Sequence, residues 1–286
     1  MKYLIKEVIS DKKMNIKSDK FEKIKTSILK LQTVLFIEKK YNMIIENYRK
    51  FEEKLFEISL NSTLYSHNSL SIKDDISKID LQLTNLLTVC KLYLDQVKQD
   101  IKKLNIENLN KKFSDAKSKE YDENIEYAFM YALRNHVQHK GLPVHRFTYK
   151  SGWVNIQDSK KTQNETIAQL NVEVLEDDDY FKKEVLERLK EKSIKMIDLK
   201  KYTRKYIESF ARIHEKLRDE ISFYLKEWES NIKLIKKRFK QETNADRIFK
   251  LKLEKRQNNS KIDSIDIVES NMEQRKNFEK KIGYQN

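Results

Sequence analysis

From Ser18 onward, apolar side chains return every three or four positions: Phe21, Ile24, Ile28, Leu31 and Leu35, then Ile44, Ile45, Tyr48, Phe51, Leu55 and Ile58. Such positions share one stripe of an α-helix, so the pattern predicts a long helix from about Ser18 to Leu60, with Tyr41-Asn42 as the place for a break. Asn61 to Ser71 is rich in Ser and Asn and reads as a loop. A second stripe, Ile76, Ile79, Leu83, Leu86, Leu87, Cys90, Leu94 and Val97, predicts a helix from Lys73-Asp74-Asp75 to about Leu104. Its opening acids suit the positive end of a helix dipole. Residues 105–119 are polar and basic and read as a linker. A third helix, about Asp122 to Lys140, is stopped by Gly141-Leu142-Pro143.

The pattern then changes. Val144 to Ile156 and Thr166 to Leu175 mix β-branched and aromatic residues in rough alternation, separated by polar Asp158 to Asn164, which predicts a β-hairpin inserted between helices. The acidic run Glu176-Asp177-Asp178-Asp179 could hold a divalent cation, but its place ahead of the next helix favours capping. Helical spacing resumes from about Tyr180 to Ile194 and from about Leu199 to Gln241, through Tyr202, Ile207, Phe210, Ile213, Leu217, Ile221 and Leu225. Beyond Glu242 apolar density falls away. The predicted fold is mainly α: an antiparallel helical bundle of long helices with a small β-hairpin after the third helix. The predicted organisation is an arm or strand over 1–17, a helical domain over 18–241 with the hairpin at about 144–175, and a charged tail over 242–286.

Composition narrows the function classes. Apolar residues make up 38% and charged residues 36% of the chain, which suits amphipathic helices with wide solvated faces. With three Gly and one Pro, the chain lacks the glycines that Rossmann and P-loop folds place against phosphate. The formal net charge of +14 favours polyanionic partners, nucleic acid first, although Lys and Asn are abundant throughout and the bias could be global. One cysteine, Cys90, excludes an internal disulfide or a thiolate zinc cluster and reads as a core thiol. No stretch has the roughly 20 apolar residues of a membrane span, and Met1 to Lys13 lacks a signal-peptide core. The expectation is a cytoplasmic protein without membrane contact.

Rare residues crowd one place. Three of the five histidines (His136, His139 and His145), one of the three glycines and the sole proline fall between Arg134 and His145. An arginine supplies a phosphate-binding cation, and a histidine supplies a group that titrates near neutrality; metal-free RNA cleavage needs both. On a helical wheel with Arg134 at zero, Gln138 lies near 40°, Asn135 near 100° and His139 near 140°, with Tyr127 and Tyr131 between about 20° and 80°. Ala128 and Ala132 fall beside His139, and Leu133, Met130, Val137 and Phe129 form the expected core face. A polar face with small residues predicts a groove or a subunit contact.

The string from Arg134 to His139 resembles the R-X4-6-H signature of HEPN domains, where Asn, Asp or His commonly follows the arginine, as Asn135 does here. Arg134-Asn135-His136-Val137-Gln138-His139-Lys140-Gly141-Leu142-Pro143 is similar to an uncharacterised bacterial subgroup of HEPN-like proteins. So are Asp80 to Leu87 with Tyr93-Leu94-Asp95, and Asp198 to Tyr202 through Arg212-Ile213-His214-Glu215-Lys216. The likeness runs in order over roughly residues 20–230. It implies an up-and-down helical bundle, often a homodimer with two motifs facing across a basic cleft. It also implies a metal-independent endoribonuclease of toxin-antitoxin, CRISPR or phage-defence systems, with an antitoxin or defence-system protein as partner. The hairpin and the terminal extensions depart from the family pattern.

The site reading follows. Arg134, His139 and Asn135 are the candidate catalytic residues, and Gln138, Tyr131, Tyr127, His136 and Lys140 are candidate RNA contacts. No metal and no cofactor is expected. Blander readings stand beside these. Arg134 could pair with an acid on a neighbouring helix, His139 could serve the helix dipole, and both tyrosines could be packing residues. His136 and His139 with His145 could hold a metal, but lack a clear acidic partner. The competing function is a non-catalytic helical module that binds RNA or a protein partner.

Overall fold

A computed structural model of the chain describes all residues except 66–68, 157–158, 246, 259, 268–269 and 282–286, and does not describe the side chains of 69–70, 150–156, 159–165, 270 and 281. The elements follow in order as β1 (Lys2–Glu7), β2 (Lys13–Asn15), α1 (Ser18–Leu64), α2 (Ser69–Leu104), α3 (Leu109–Glu123), α4 (Ile125–His139), β3 (Arg146–Ile156), β4 (Ser159–Asn171), a 3-10 turn (Val172–Leu175), α5 (Lys183–Glu191), β5 (Met196–Asp198), α6 (Leu199–Thr243), β6 (Leu251–Gln257), β7 (Ser260–Ile267) and α7 (Ser270–Lys281). The class is mainly α, as the spacing of apolar positions predicts. Two compact units partition the chain, one from 1–40, 97–109 and 217–286, the other from 41–96 and 110–216. Helices α1, α2 and α6 supply residues to both.

In the first unit, β1 lies between β2 and β6 in an antiparallel sheet of order β2-β1-β6-β7. Leu4, Ile5, Met14, Leu251, Leu253 and Ile267 are buried. The segment after Glu242 is therefore not a charged tail: it returns a hairpin to the N-terminal strand. Asn244 and Asn258, with φ of 46° and 47°, end α6 and lie in the β6–β7 turn, a left-handed conformation Asn tolerates. Buried carboxylates in this unit meet cations: Glu38 accepts from Arg218, and Asp100 takes Lys40 and Lys103.

In the second unit, the α1 positions Ile44, Phe51, Leu55 and Ile58 and the α2 positions Ile79, Leu83, Leu86, Leu87, Cys90 and Leu94 are buried, as their spacing predicts. Helix α1 passes Tyr41-Asn42 without a break. Tyr41 is buried and stacks on His214 at 3.9 Å, and the His214 ring shares a 2.8 Å hydrogen bond with the Tyr93 hydroxyl. The expected loop over Asn61–Ser71 shrinks, because α1 continues to Leu64 and α2 opens at Ser69; residues 66–68 of that expectation lie outside the described residues.

The expected linker over 105–119 is mostly α3. Its buried positions Leu109, Phe113, Ala116 and Glu120 recur at helical spacing among charged residues. Glu120 fills the fourth position because it accepts from Arg212 at 2.8 and 2.6 Å and from Asn124 at 2.8 Å. Asn105 and Asn108, with φ of 49° and 58°, separate α2 from α3.

The predicted hairpin is present with other bounds: β3 starts two residues later than expected, β4 opens at Ser159 rather than Thr166, and Val172–Leu175, expected as strand, is the 3-10 turn. β3 and β4 pair from Arg146↔Gln169 to Ile156↔Ser159, so most of the polar separator at 158–164 is strand; residues 157–158 lie outside the described residues. β5, too short to leave a periodic signal, adds a third strand through Gln169↔Asp198 and Asn171↔Met196. Asp198 then accepts the backbone N–H of Lys201 and caps α6.

Candidate functional site

The second unit builds the candidate site on α4. This helix is buried over most of its circumference: Tyr127, Ala128, Phe129, Met130, Ala132, Leu133 and His136 are all inside. Tyr127 packs its ring against Tyr206 at 5.2 Å and Phe210 at 5.8 Å. Phe129 meets Phe181 at 5.7 Å and Tyr202 at 5.3 Å. The wheel therefore placed its dividing line wrongly. Ala128 and Ala132 are 0% exposed in the single chain, so the close approach they allow is taken up within it. Val137, expected in the core, is half-buried.

What reaches solvent is a narrower set. Arg134, Asn135 and Tyr131 are half-buried, and Gln138, His139 and Lys140 are exposed. Arg134 Nη1 donates to Asn135 Oδ1 at 3.4 Å, and among the described residues it forms no ion pair. That is unlike Arg204, Arg212, Arg218, Arg238, Arg256 and Arg275, each of which holds a glutamate. A partly desolvated guanidinium without an anion is set up to accept one, and its planar fork suits phosphate. The reading of Arg134 as half of an interhelical ion pair is thereby removed.

His139 is the last residue of α4. Its imidazole stacks on the Tyr180 ring at 4.4 Å with planes 19° apart, and among the described residues its nitrogens make no hydrogen bond. Arg134 and His139 stand five residues apart on the helix, about 140° in rotation. Among the described residues no hydrogen bond joins them. Gln138 lies between them in angle.

His136 and Tyr127 do not belong with the expected RNA contacts. Tyr127 is 2% exposed, and burial pushes its hydroxyl well above the usual tyrosine range. His136 is 4% exposed, and its Nδ1 shares a 2.6 Å hydrogen bond with Asp178 Oδ2. Its Nε2 is buried with no partner, close to Gly141. Burial would raise the Asp178 carboxyl, but the Tyr180 N–H bond and the His136 contact outweigh it and hold it below the ordinary carboxylate value. The acidic run is thus not a helix cap, since α5 opens five residues after Asp178 with Lys182 at its N-cap position. Nothing in four consecutive acids marks Asp178 as the one that turns inward.

Tyr131 is half-buried. With Tyr121 and Tyr127 it lines a cleft of about 260 Å³ that also takes in Lys91, Lys117, Lys182, Asp95 and Asp122, Lys91 being paired with Asp95. The Lys182 ammonium lies 4.6 Å from the Tyr121 ring and 5.3 Å from Tyr131, inside cation–π range.

The loop after α4 is tied to α2. His136 C=O accepts from Lys140 N–H at 2.8 Å and Gly141 N–H at 3.3 Å, which closes the helix. Pro143 follows, and Val144 N–H donates to the buried Asp80 Oδ1 at 2.9 Å. Asp75 accepts from the Tyr149 hydroxyl at 2.9 Å, so two α2 carboxylates hold the entry to the hairpin. His145 is exposed, its ring 6.4 Å from that of His136.

Among the described residues no three His, Cys, Asp or Glu side chains converge as metal ligands, and no helix is long and apolar enough to cross a membrane. Comparison with protein-family models, curated proteins and solved structures finds no match to this chain.

Proposed function

We propose that the chain is a metal-independent endoribonuclease of HEPN type. The observation that carries this reading is Arg134: half-buried, without a carboxylate among the described residues, bonded only to Asn135, and five residues before an exposed histidine with unbonded nitrogens. The likeness of Arg134 to His139 to the HEPN signature supports the same reading.

In the proposed reaction, Arg134 grips the non-bridging oxygens of the scissile phosphate and offsets the charge that builds on them. His139 takes the proton from the ribose 2′-hydroxyl, whose oxygen attacks phosphorus while the 5′-oxygen departs with a proton from a second acid. The products are a 2′,3′-cyclic phosphate and a 5′-hydroxyl. One chain presents one such histidine, so a homodimer would supply base and acid from its two copies. Asn135 orients the guanidinium, while Gln138 and Lys140 flank it with further donors. Tyr131, in the cleft beside Lys182, would stack a neighbouring base. A role as toxin or phage-defence effector, with an antitoxin or defence partner, belongs to this proposal.

The test incubates purified protein with single-stranded RNA in EDTA. Cleavage to the stated ends is expected, reduced on the order of 100-fold or more by Arg134→Ala or His139→Ala. Both side chains reach solvent, so both variants should fold. Products with 3′-hydroxyl ends, a requirement for added metal, or full activity in both variants would overturn the reading. RNA binding without cleavage, lost in Arg134→Ala, would establish the non-catalytic module instead.

A further inference from the structure

We propose that Asp178 and Tyr180 are positioning residues for His139, with the buried His136 as the anchor; the role rests on the ribonuclease reading for its chemistry but not for its geometry. Asp178 uses both carboxylate oxygens. Oδ2 takes the His136 Nδ1 contact at 2.6 Å and Oδ1 accepts Tyr180 N–H at 2.8 Å. Phe181 N–H donates to the Asp178 carbonyl at 3.1 Å, which closes a tight turn over 178–181. The turn is pinned to α4 at two points, through His136 and through the Phe129–Phe181 ring contact at 5.7 Å.

Tyr180 projects from this pinned turn. It is 48% exposed, so burial does not explain its place, and among the described residues its hydroxyl has no hydrogen-bond partner. What it does is lie face to face on the His139 imidazole, 4.4 Å between centroids. A stacked ring fixes the plane of the imidazole and leaves both nitrogen edges open for proton transfer. An acid–base histidine needs that orientation, which a third group usually supplies. Here the supply line begins inside the protein. His136 and His139 lie three residues apart on one helix, and the first is spent holding the turn that orients the second. The inward carboxylate keeps the turn rigid, because a buried imidazole that loses its partner is left unsatisfied.

The test labels the histidine rings for NMR and identifies His139 by the signal lost in His139→Gln. Tyr180→Leu should move the His139 ring C–H signals downfield, out of the shielded zone above an aromatic face, and Tyr180→Phe should return them. Asp178→Asn should move them the same way by loosening the turn. In the cleavage assay Tyr180→Leu should lower kcat on the order of 100-fold with KM little changed, and Tyr180→Phe should restore it. His139 signals that stay in place in Tyr180→Leu would overturn the proposal, and signals that stay in place in a folded Asp178→Asn would remove Asp178 from it. If Asp178→Asn does not fold, the half-exposed Tyr180 pair still decides. If the wild type cuts no RNA, the ribonuclease reading falls, while the NMR arm still accepts or rejects the positioning.

Discussion

Asp80 carries a charge where the fold least accommodates it. The residue is 2% exposed, one oxygen accepts Val144 N–H, and the other is buried without a partner. Burial pushes the carboxyl from its ordinary 3.8 up to about 6, against a smaller lowering by the Val144 bond. The folded protein therefore holds this proton more tightly than the unfolded chain. The Asp80 contribution to stability should rise as pH falls through about 6 and level off below about 4, and the charged form at neutral pH should cost about 2–3 kcal/mol. Asp178 runs the other way. Its carboxyl lies below the ordinary value, so its contribution is complete above that value and is lost only in stronger acid. Between pH 4 and 7 the Asp80 contribution stands clear of it, and the His145 imidazole, lowered by burial, works in the opposite sense, so a change at Asp80 itself separates the two. Asp80→Asn keeps an acceptor for Val144 N–H and removes the charge. Urea midpoints at several pH values should show the variant more stable at neutral pH by about 2 kcal/mol, with a flatter profile. A variant as pH-dependent as the wild type would show that Asp80 is not the group responsible.

At the scale of elements, what the sequence disclosed depended on how an element meets the core. α1, α2 and α6 bury one apolar stripe each, so their period was legible from Phe21 to Leu225. α4 is surrounded on most sides, and a one-sided wheel could not foresee that Tyr127, Ala132 and His136 would all be inside. The crowding of rare residues at Arg134 to His139 was legible; the inward bond of His136 to Asp178 was not, because that partner lies 42 positions away. α3 was missed for another reason. Its inward stripe is sparse and ends on Glu120, which is buried only because Arg212 meets it. If 109–123 is a core helix, Phe113→Ala should cost about 3 kcal/mol, since Phe113 is 3% exposed and lies 6.4 Å from the Tyr93 ring. Chemical denaturation reads this directly. A linker phenylalanine would change stability by no more than about 0.5 kcal/mol, and that result would contradict the placement of α3.

At the scale of the molecule, the two ends of the chain make one sheet. β1 pairs with β6 from Lys2↔Arg256 to Glu7↔Leu251, a contact between segments that neither periodicity nor turn chemistry links. Each strand alone looks like a charged extension: β6 reads Leu-Lys-Leu-Glu-Lys-Arg-Gln, with only Leu251 and Leu253 to mark an inward face. Glu7 ties the junction further by accepting from the Ser10 hydroxyl and from Phe249 N–H at 3.0 Å. Those bonds, the Ser10 one first, hold its carboxyl below the ordinary value against the opposing effect of burial. The contribution is thus present above that value and is lost as pH falls through the lower folded one. Deleting residues 1–16 should therefore remove more than an arm. It takes away Leu4, Ile5 and Met14, all 3% exposed or less, and leaves the hydrogen-bonding edge of β6 open. Amides of residues 251–257 should exchange with solvent at least tenfold faster, since losing 1.4 kcal/mol of local stability already suffices for that factor and each buried side chain contributes about as much. Exchange at 251–257 that is unchanged by the deletion would mean that β6 does not depend on β1, and that the terminal segments fold as separate extensions.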